Sequence, residues 1–377
     1  MAVVLLICLA ALAYVYLGYP LLCALVAALR RRRIRRGTET PRVSILISAY
    51  DEAAHIGATV RNKLELEYPA ERCEVVVVSD GSGDGTDEIV ARVAATEERV
   101  RLIRQEPRAG KTAALNVAAG AATGEILVFS DANSLYAPDA LRRLVEPFAD
   151  PEVGYVTGRM LYRTADGCLT GEGCSAYMRY ENLLRRLETA VGSIVGAAGG
   201  IDAVRAGLYV RMRPDQQPDF VLPLSVVERG WRAVFVPEAR LYEASLDHTS
   251  DEFRMRTRVA LRAWHALRDK AGLLNPLRHG IFAWQLFSHK WLRYLAPVFQ
   301  IGAFASNAAL LGQSPVWDAL MALQTVFYGL AAAGFLGRPL PSPLSFPFYI
   351  CLLNAAAGTA LVRFLRGRRQ VIWSPRT

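Results

Sequence analysis

Four stretches of the chain carry no charged residue: Met1 to Leu29, Tyr294 to Trp317, Ala319 to Gly337 and Pro339 to Val362. A helix of about 20 apolar residues crosses a hydrocarbon core, and each stretch is long enough or nearly so. Between the first two lies a region, about 40 to 270, that alternates strand-like and helix-like patterns and holds most of the acids. The 52% hydrophobic content is concentrated in the four stretches. The expected architecture is therefore an α/β domain between membrane segments.

Met1 to Leu29 lacks a basic leader and is too long for the apolar part of a cleaved signal, so it is expected to be a retained membrane helix. Arg30 to Arg36, interrupted only by Ile34, follows it and accounts for most of the net charge of +9. The positive-inside rule puts this end, and the α/β domain, in the cytosol at the cell (plasma) membrane. The cluster suits anionic headgroups; no aromatic interleaving or nucleic-acid module accompanies it, so nucleic acid is not an expected partner. Three full late crossings would leave Arg363, Arg366, Arg368 and Arg369 outside, against the same rule. One late segment is thus expected not to cross fully. The last is the most irregular, with Pro339, Pro341, Pro343 and Pro347; alternatively, amphipathic Ile281 to Leu292 is re-entrant. The expected division is a membrane helix with its basic flank (1–36), a catalytic domain (37–270), an amphipathic segment (271–293), membrane helices (294–366) and a basic tail (367–377). Cys8, Cys23, Cys73, Cys168, Cys174 and Cys351 form no C-x-x-C pair, so neither zinc nor a disulfide framework is indicated.

Within the middle region, Arg42 to Ser48, Glu74 to Asp80, Val100 to Arg104 and Ile126 to Ser130 read as strands, with helices between them. Four consecutive valines, 75 to 78, suit a strand buried on both faces. The βαβαβαβ order implies a doubly wound, mostly parallel sheet. Ligands collect at the carboxyl ends of such strands. Three adjacent ends carry acids here: Tyr50-Asp51-Glu52, Asp80, and Asp131 with Asn133. Asp131 and Asn133 could serve a hard divalent cation whose other ligands are diphosphate and water, or merely cap a turn. Asp80 could hold a ribose or base amide, or be a turn acid; the glycines beyond it let backbone approach a ligand. Thr86 or Asp87 is expected to cap the following helix. Gly110-Lys-Thr112 invites a P-loop reading, but Gln105 stands where that loop needs glycine, which excludes it. Lys111 can still meet a phosphate at a helix start. His55, His248, His265, His279 and His289 are scattered and expected to be structural.

Ile47-Ser-Ala-Tyr-Asp-Glu52, Ser79-Asp-Gly-Ser82, Gly110-Lys-x-x-Ala-Leu-Asn116 and Asp131-Ala-Asn133, in this order, resemble the family-2 glycosyltransferases of GT-A fold. Gly196 to Arg205, Pro218 to Pro223, Gly230 to Ala239 and Ser288 to Pro297 extend the likeness, which is strongest over about 40 to 265. The resemblance implies a Rossmann-like α/β domain that moves a sugar, with inversion, from a nucleotide-diphosphate sugar, a UDP-sugar above all, to an acceptor hydroxyl. It implies that Asp51 and Asp80 hold base and ribose, lined by Tyr50 and Glu52, and that Asp131 holds Mg2+ or Mn2+. Lys111 would lie near that pocket, Gly199 and Gly200 would line the acceptor side, and Asp219 would be the catalytic base.

The chain departs from the pattern in Asn133, where many members have Asp, in Asp51, where Asn is common, and in Pro218, which replaces an acid. Of the Gln-x-x-Arg-Trp motif of processive synthases only Arg258 matches, which weighs against polymer synthesis but not against transfer. Arg254, Arg256, Arg258 and Arg262 could clamp a donor phosphate or form a face that meets lipid headgroups. The lead expectation is a polysaccharide- or glycan-type hexosyltransferase; the alternatives are glycosylation of a membrane lipid, such as a polyprenyl phosphate, and a non-catalytic nucleotide-sugar-binding subunit. Asp219 is expected just before a helix over Val221 to Arg229, where it acts as a base or caps that helix.

Overall fold

The computed structural model describes residues 1–163, 172–244, 249–336, 338, 341 and 344–371. The chain divides into two compact units, Arg30–Leu169 with Glu188–Ser245 and Gln370–Thr377, and Met1–Leu29 with Thr170–Leu187 and Leu246–Arg369. Residues 170–187 and 246–270, which the sequence assigns to the catalytic domain, group with the apolar helices.

Among the described residues the first unit is built on eight strands: β1 (Val43–Ala49), β2 (Cys73–Ser79), β3 (Val100–Arg104), β4 (Ile126–Asp131), β5 (Leu135–Tyr136), β6 (Val153–Arg163), β7 (Ile201–Arg205) and β8 (Arg232–Ala244). Their order is β3-β2-β1-β4-β7-β6-β8-β5. β1 to β4 pair in parallel, as the valine-rich, doubly buried strands require. β7 enters antiparallel between β4 and β6, so the sheet is mixed but mostly parallel. Register sets the strand ends level: Ala49 faces Ser79, Ser48 faces Asp131, and Ser79 faces Arg104. Ile45, Ile47, Val75, Val77, Val128 and Val156 are among the core side chains with no exposure.

The opposite end of the sheet is closed by one carboxylate. Glu74 accepts from Ser44 Oγ, from Thr123 N (2.7 Å) and Oγ1 (2.9 Å), and from Arg101 Nη2 (2.7 Å). Gly124 lies so close that a Cβ there would come within 2.5 Å of Ser44 N. Burial works against the Glu74 charge, but its hydrogen bonds and Arg101 outweigh it and hold the carboxyl below its ordinary value. A lowered carboxyl contributes stability above its unfolded value, and loses it as pH falls through the folded one. Glu74→Ala is expected to cost about 2 kcal/mol near pH 7 and less in acid, a difference that urea unfolding at the two pH values would measure.

Two local expectations change. The helix Thr86–Ala94 is opened by Asp84, whose Oδ1 accepts from Thr86 N at 3.0 Å, rather than by Thr86 or Asp87. The Arg cluster is partly tied to the sheet unit: Arg32 meets Glu152 at 2.7 Å and Arg36 meets Glu238 at 3.3 Å. Such exposed pairs are worth at most about 1 kcal/mol.

Among the described residues of the second unit, three helices are long and apolar enough to cross a membrane: Ala2–Leu29, Pro315–Phe335 and Phe346–Leu365. The irregular late segment is the first, not the last. Tyr294 to Trp317 yields only Ala296–Ala308, 13 residues, before the chain turns. The last segment instead forms 20 helical residues, because Pro347 falls in the first turn, where proline costs no hydrogen bond, and Pro341 lies outside the helix. Pro339 and Pro343 lie outside the described residues. Ile281 to Leu292 is a short helix followed by a π-helical turn, Phe287–Leu292. Cys8, Cys23, Cys73 and Cys351 are free thiols; the side chains of Cys168 and Cys174, and His248, lie outside the described set.

Candidate active site

The level strand ends present their loops side by side. Asp51 adopts φ 51°, a left-handed conformation that side chains rarely take and that recurs at functional sites. It is held by hydrogen bonds: Asp51 N donates to Ser82 Oγ (3.1 Å) and Asp51 Oδ1 accepts from Gly83 N (2.9 Å). Glu52 N donates to Thr86 Oγ1 at 2.9 Å. Asp80 is buried, and both its oxygens take donors from the next loop: Gln105 Nε2 (2.6 Å), Ala109 N and Gly110 N (both 2.8 Å). Asp80 therefore shapes the loop that leads into the helix Lys111–Ala121. Arg108, in that loop, lays its guanidinium 3.3 Å from the Tyr50 ring centroid, a cation–π stack missing from the sequence expectations.

Lys111 opens its helix after Gly110 (φ 92°) and forms an ion pair with Asp131 Oδ1 at the end of β4. Further along the same helix, Thr112 Oγ1 donates to Gln216 O at 2.7 Å and Asn116 Nδ2 to Met212 O at 2.7 Å. The Gly-Lys-x-x-Ala-Leu-Asn pattern thus fixes the loop that delivers Asp219. That residue lies inside its helix, Pro218–Glu228, rather than before it, because Pro218 is preformed for the first helical position. Its Oδ2 accepts from Gln217 Nε2 at 3.0 Å.

Gly199 (φ 82°) and Gly200 (φ 73°) complete the wall in left-handed conformations that side chains rarely adopt. A Cβ on Gly199 would come within 2.9 Å of Asp219 Oδ2, and one on Gly200 within 3.2 Å of Leu241 Cδ2 and 3.6 Å of Asp131 Oδ2. Lys111, Asp131, Gly199, Gly200, Asp202 and Asp219 line one cavity of about 20 Å³, room for about one water. Asn133 lies in the turn two residues beyond Asp131 and is half-buried. Arg258 lies on the helix Thr249–Asp269 of the other unit.

Two acids here escaped the sequence reading. Glu243, on β8, is buried and acts on the charge of Lys111. Asp202, on β7, is 2% exposed and accepts from Thr157 Oγ1 at 2.5 Å. The available signal was a lone acid in the otherwise apolar run Ile201 to Val204. Burial works against the Lys111 charge, but Asp131, Asp219 and Glu243 outweigh it and hold the amine above its ordinary value. Burial raises Asp219, with Lys111 opposing. Burial and Asp219 push Asp202 up to about 7, against the Thr157 hydrogen bond. A raised carboxyl leaves stability intact below its unfolded value and removes it as pH rises through the folded one. Without donor or divalent metal, Asp202→Asn is expected to be more stable than the parent at pH 8, by up to about 4 kcal/mol, and nearly equal to it near pH 4. Thermal melts at the two pH values decide this.

The donor set fits a divalent cation held mainly by substrate. Asp131 offers a carboxylate oxygen that already takes a cation, the Lys111 ammonium. Among the described residues no three His, Cys, Asp or Glu are grouped to cage a metal. One or two protein oxygens completed by a diphosphate and water is the ordinary arrangement for Mg2+.

Residues 44–198 match the model of the family described as Glycosyl transferase family 2. The beta-monoglucosyldiacylglycerol synthase of Trichormus variabilis is 34% identical over 167 residues, 44% of this chain and 36% of that protein. The poly-beta-1,6-N-acetyl-D-glucosamine synthase of Staphylococcus aureus is 28% identical over 158 residues, 42% of this chain and 38% of that protein. The matched part thus spans little more than a third of the length of these curated relatives. Among solved structures, a mannosyltransferase from Pyrobaculum calidifontis in complex with GDP-Man and Mn2+ superposes with a TM-score of 0.76 at 26% identity, covering 97% of this chain and 99% of its own.

Proposed function

We propose, from the premise that residues 44–198 belong to glycosyl transferase family 2 and that their sheet is a GT-A fold, that this chain transfers a sugar from a nucleotide-diphosphate sugar to an acceptor hydroxyl, with inversion, at the cytosolic face of a membrane. The observation that carries the reading is the convergence of Lys111, Asp131 and Asp219 on one cavity. A transferase of this kind needs a positive counterpart for the departing diphosphate and a base for the attacking hydroxyl. Lys111 supplies fixed positive charge where the leaving group becomes more negative. Asp219 accepts the acceptor proton through one carboxylate oxygen, and burial, with Lys111 opposing, raises its affinity for protons, as a base requires. Asp131, with Asn133, would hold the divalent cation, which neutralises diphosphate charge as a Lewis acid when bound. Gly199 and Gly200 keep side chains away from Asp219 and Asp131, leaving room for the reacting atoms. Tyr50, Asp51, Glu52, Asp80 and Arg108 form the end suited to the base and ribose, with the Arg108–Tyr50 stack as its floor.

The acceptor is a growing glycan or a membrane lipid. The glycan reading follows the Staphylococcus aureus relative, named for a polysaccharide. The lipid reading is favoured by the Trichormus variabilis relative, named for a glucosyldiacylglycerol, and by the lone Arg258 where a processive motif would fall. The full chain in nanodiscs, offered UDP- and GDP-sugars with Mn2+, is expected to release nucleotide from one of them when a lipid or glycan extract is supplied. Mass spectrometry of the product would identify the acceptor. No release from any donor would overturn the proposal.

Three crossings are expected, with Arg30 to Arg36 and Arg363 to Arg369 on the cytosolic side by the positive-inside rule. A Cβ on Gly110 would come within 3.1 Å of Val371 O. With the native cysteines replaced, Gln370→Cys is expected to react with an impermeant maleimide in inside-out vesicles only. Labelling from outside intact cells would refute this topology.

A further inference from the structure

The turn that presents Asp131 is gripped from one side by a single helix, Ile56–Leu64. Thr59 Oγ1 donates to Ala132 O at 2.7 Å. Asn62 exchanges two hydrogen bonds with the Tyr136 backbone, Nδ2 to O at 3.0 Å and N to Oδ1 at 2.7 Å. Lys63 Nζ donates to Ser134 O at 2.6 Å and to Asn62 Oδ1 at 3.1 Å, and stands 3.7 Å from the Tyr136 ring centroid. Tyr136 OH lies 2.9 Å from both Phe129 O and Gly200 O, so the same group reaches β4 and the glycine wall.

Lys63 is 1% exposed. Its direct partners are a carbonyl, an amide oxygen and a ring face; burial pushes the amine well below its ordinary value, with the Asp131 charge opposing. Burying an amine in this way is costly, and a leucine or methionine would fill such an interior without that cost. Packing therefore gives no reason for a polar nitrogen here. The carbonyl it holds does: Ser134 O, 2.6 Å from Nζ, belongs to the turn whose first residue is Asp131. The helix thus takes hold of Ala132, Ser134 and Tyr136 through three successive contacts.

We propose that Lys63 is a positioning residue for the diphosphate–metal site: its buried side-chain nitrogen, bonded to Ser134 O, fixes the turn Asp131–Ser134, so that the Asp131 carboxylate keeps one orientation before donor and cation arrive. This rests on the glycosyltransferase reading above. Outer-shell groups that orient a ligand typically change metal affinity 10- to 100-fold when removed.

The test compares Lys63→Met, which keeps length and removes the donor, with Lys63→Gln, which keeps a donor. Mn2+ binding is titrated on the full chain in nanodiscs with saturating nucleoside diphosphate, alongside donor KM, kcat and thermal stability. The Met variant is expected to melt at or above the parent temperature without ligands, while its Mn2+ affinity falls at least about tenfold and donor KM rises in step. The Gln variant should recover part of both and, should the Met variant fail to fold, carries the same comparison against the parent. A variant that is merely less stable, with Mn2+ affinity and KM within about twofold of the parent, overturns the proposal alone. A parent protein that binds neither Mn2+ nor nucleotide overturns the underlying reading with it.

Discussion

Asp219→Asn is expected to give a folded protein that binds nucleotide and cation normally and transfers sugar at least about a hundredfold more slowly. Asparagine keeps the shape of aspartate and an oxygen that can still accept from Gln217 Nε2. The helix Pro218–Glu228 loses only an acid in its first turn, worth about 0.5 kcal/mol. A capping role would predict turnover and stability both nearly unchanged, since asparagine caps about as well as aspartate. The pH profile separates the two further. Burial raises the Asp219 carboxyl, so the parent rate should fall as pH drops through a value above the ordinary carboxylate range. The Asn variant should lack that limb. Near-normal turnover in Asp219→Asn would place the base elsewhere.

Asp131→Ala is expected to remove transfer more completely still. The side chain has two duties: it offers the oxygen for the cation, and it anchors the Lys111 ammonium. Loss of a Lewis-acid contribution of several kcal/mol corresponds to at least a few hundredfold in kcat/KM. Asp131→Asn divides the two duties, since an amide oxygen can ligate weakly but does not hold an ammonium as an ion pair does. Excess chelator should silence the parent, and Mn2+ or Mg2+ should restore it. Full activity in chelator would remove the metal from the mechanism.

Much of this site was legible in the residues. β1, β2, β3 and β4 fall within about one residue of their expected places, because short runs of buried valine and isoleucine leave few alternatives. Their parallel order brought Asp51, Asp80 and Asp131 to one edge. What stayed hidden depends on distant pairing. Asp202 and Glu243 enter on β7 and β8, and β7 runs antiparallel beside β4, which a local pattern does not reveal. Lys63 is not singled out by the sequence, because its role depends on the turn after β4, which is distant in the chain. In the membrane unit, absence of charge marked the apolar stretches but not the break after Ala308, which the packing of Leu5 and Cys8 against Ala303 and Leu310 accompanies.

Glu74 and its partners close the end of the sheet remote from every residue assigned to chemistry. Rigidity and reactivity are therefore drawn from different segments of the same strands. Loops 50–53, 80–85 and 105–110 are bonded to one another through Asp51, Ser82 and Asp80, so they would have to be changed as a set. A programme to change the accepted nucleotide could begin there and leave Ser44, Glu74, Arg101 and Thr123 untouched.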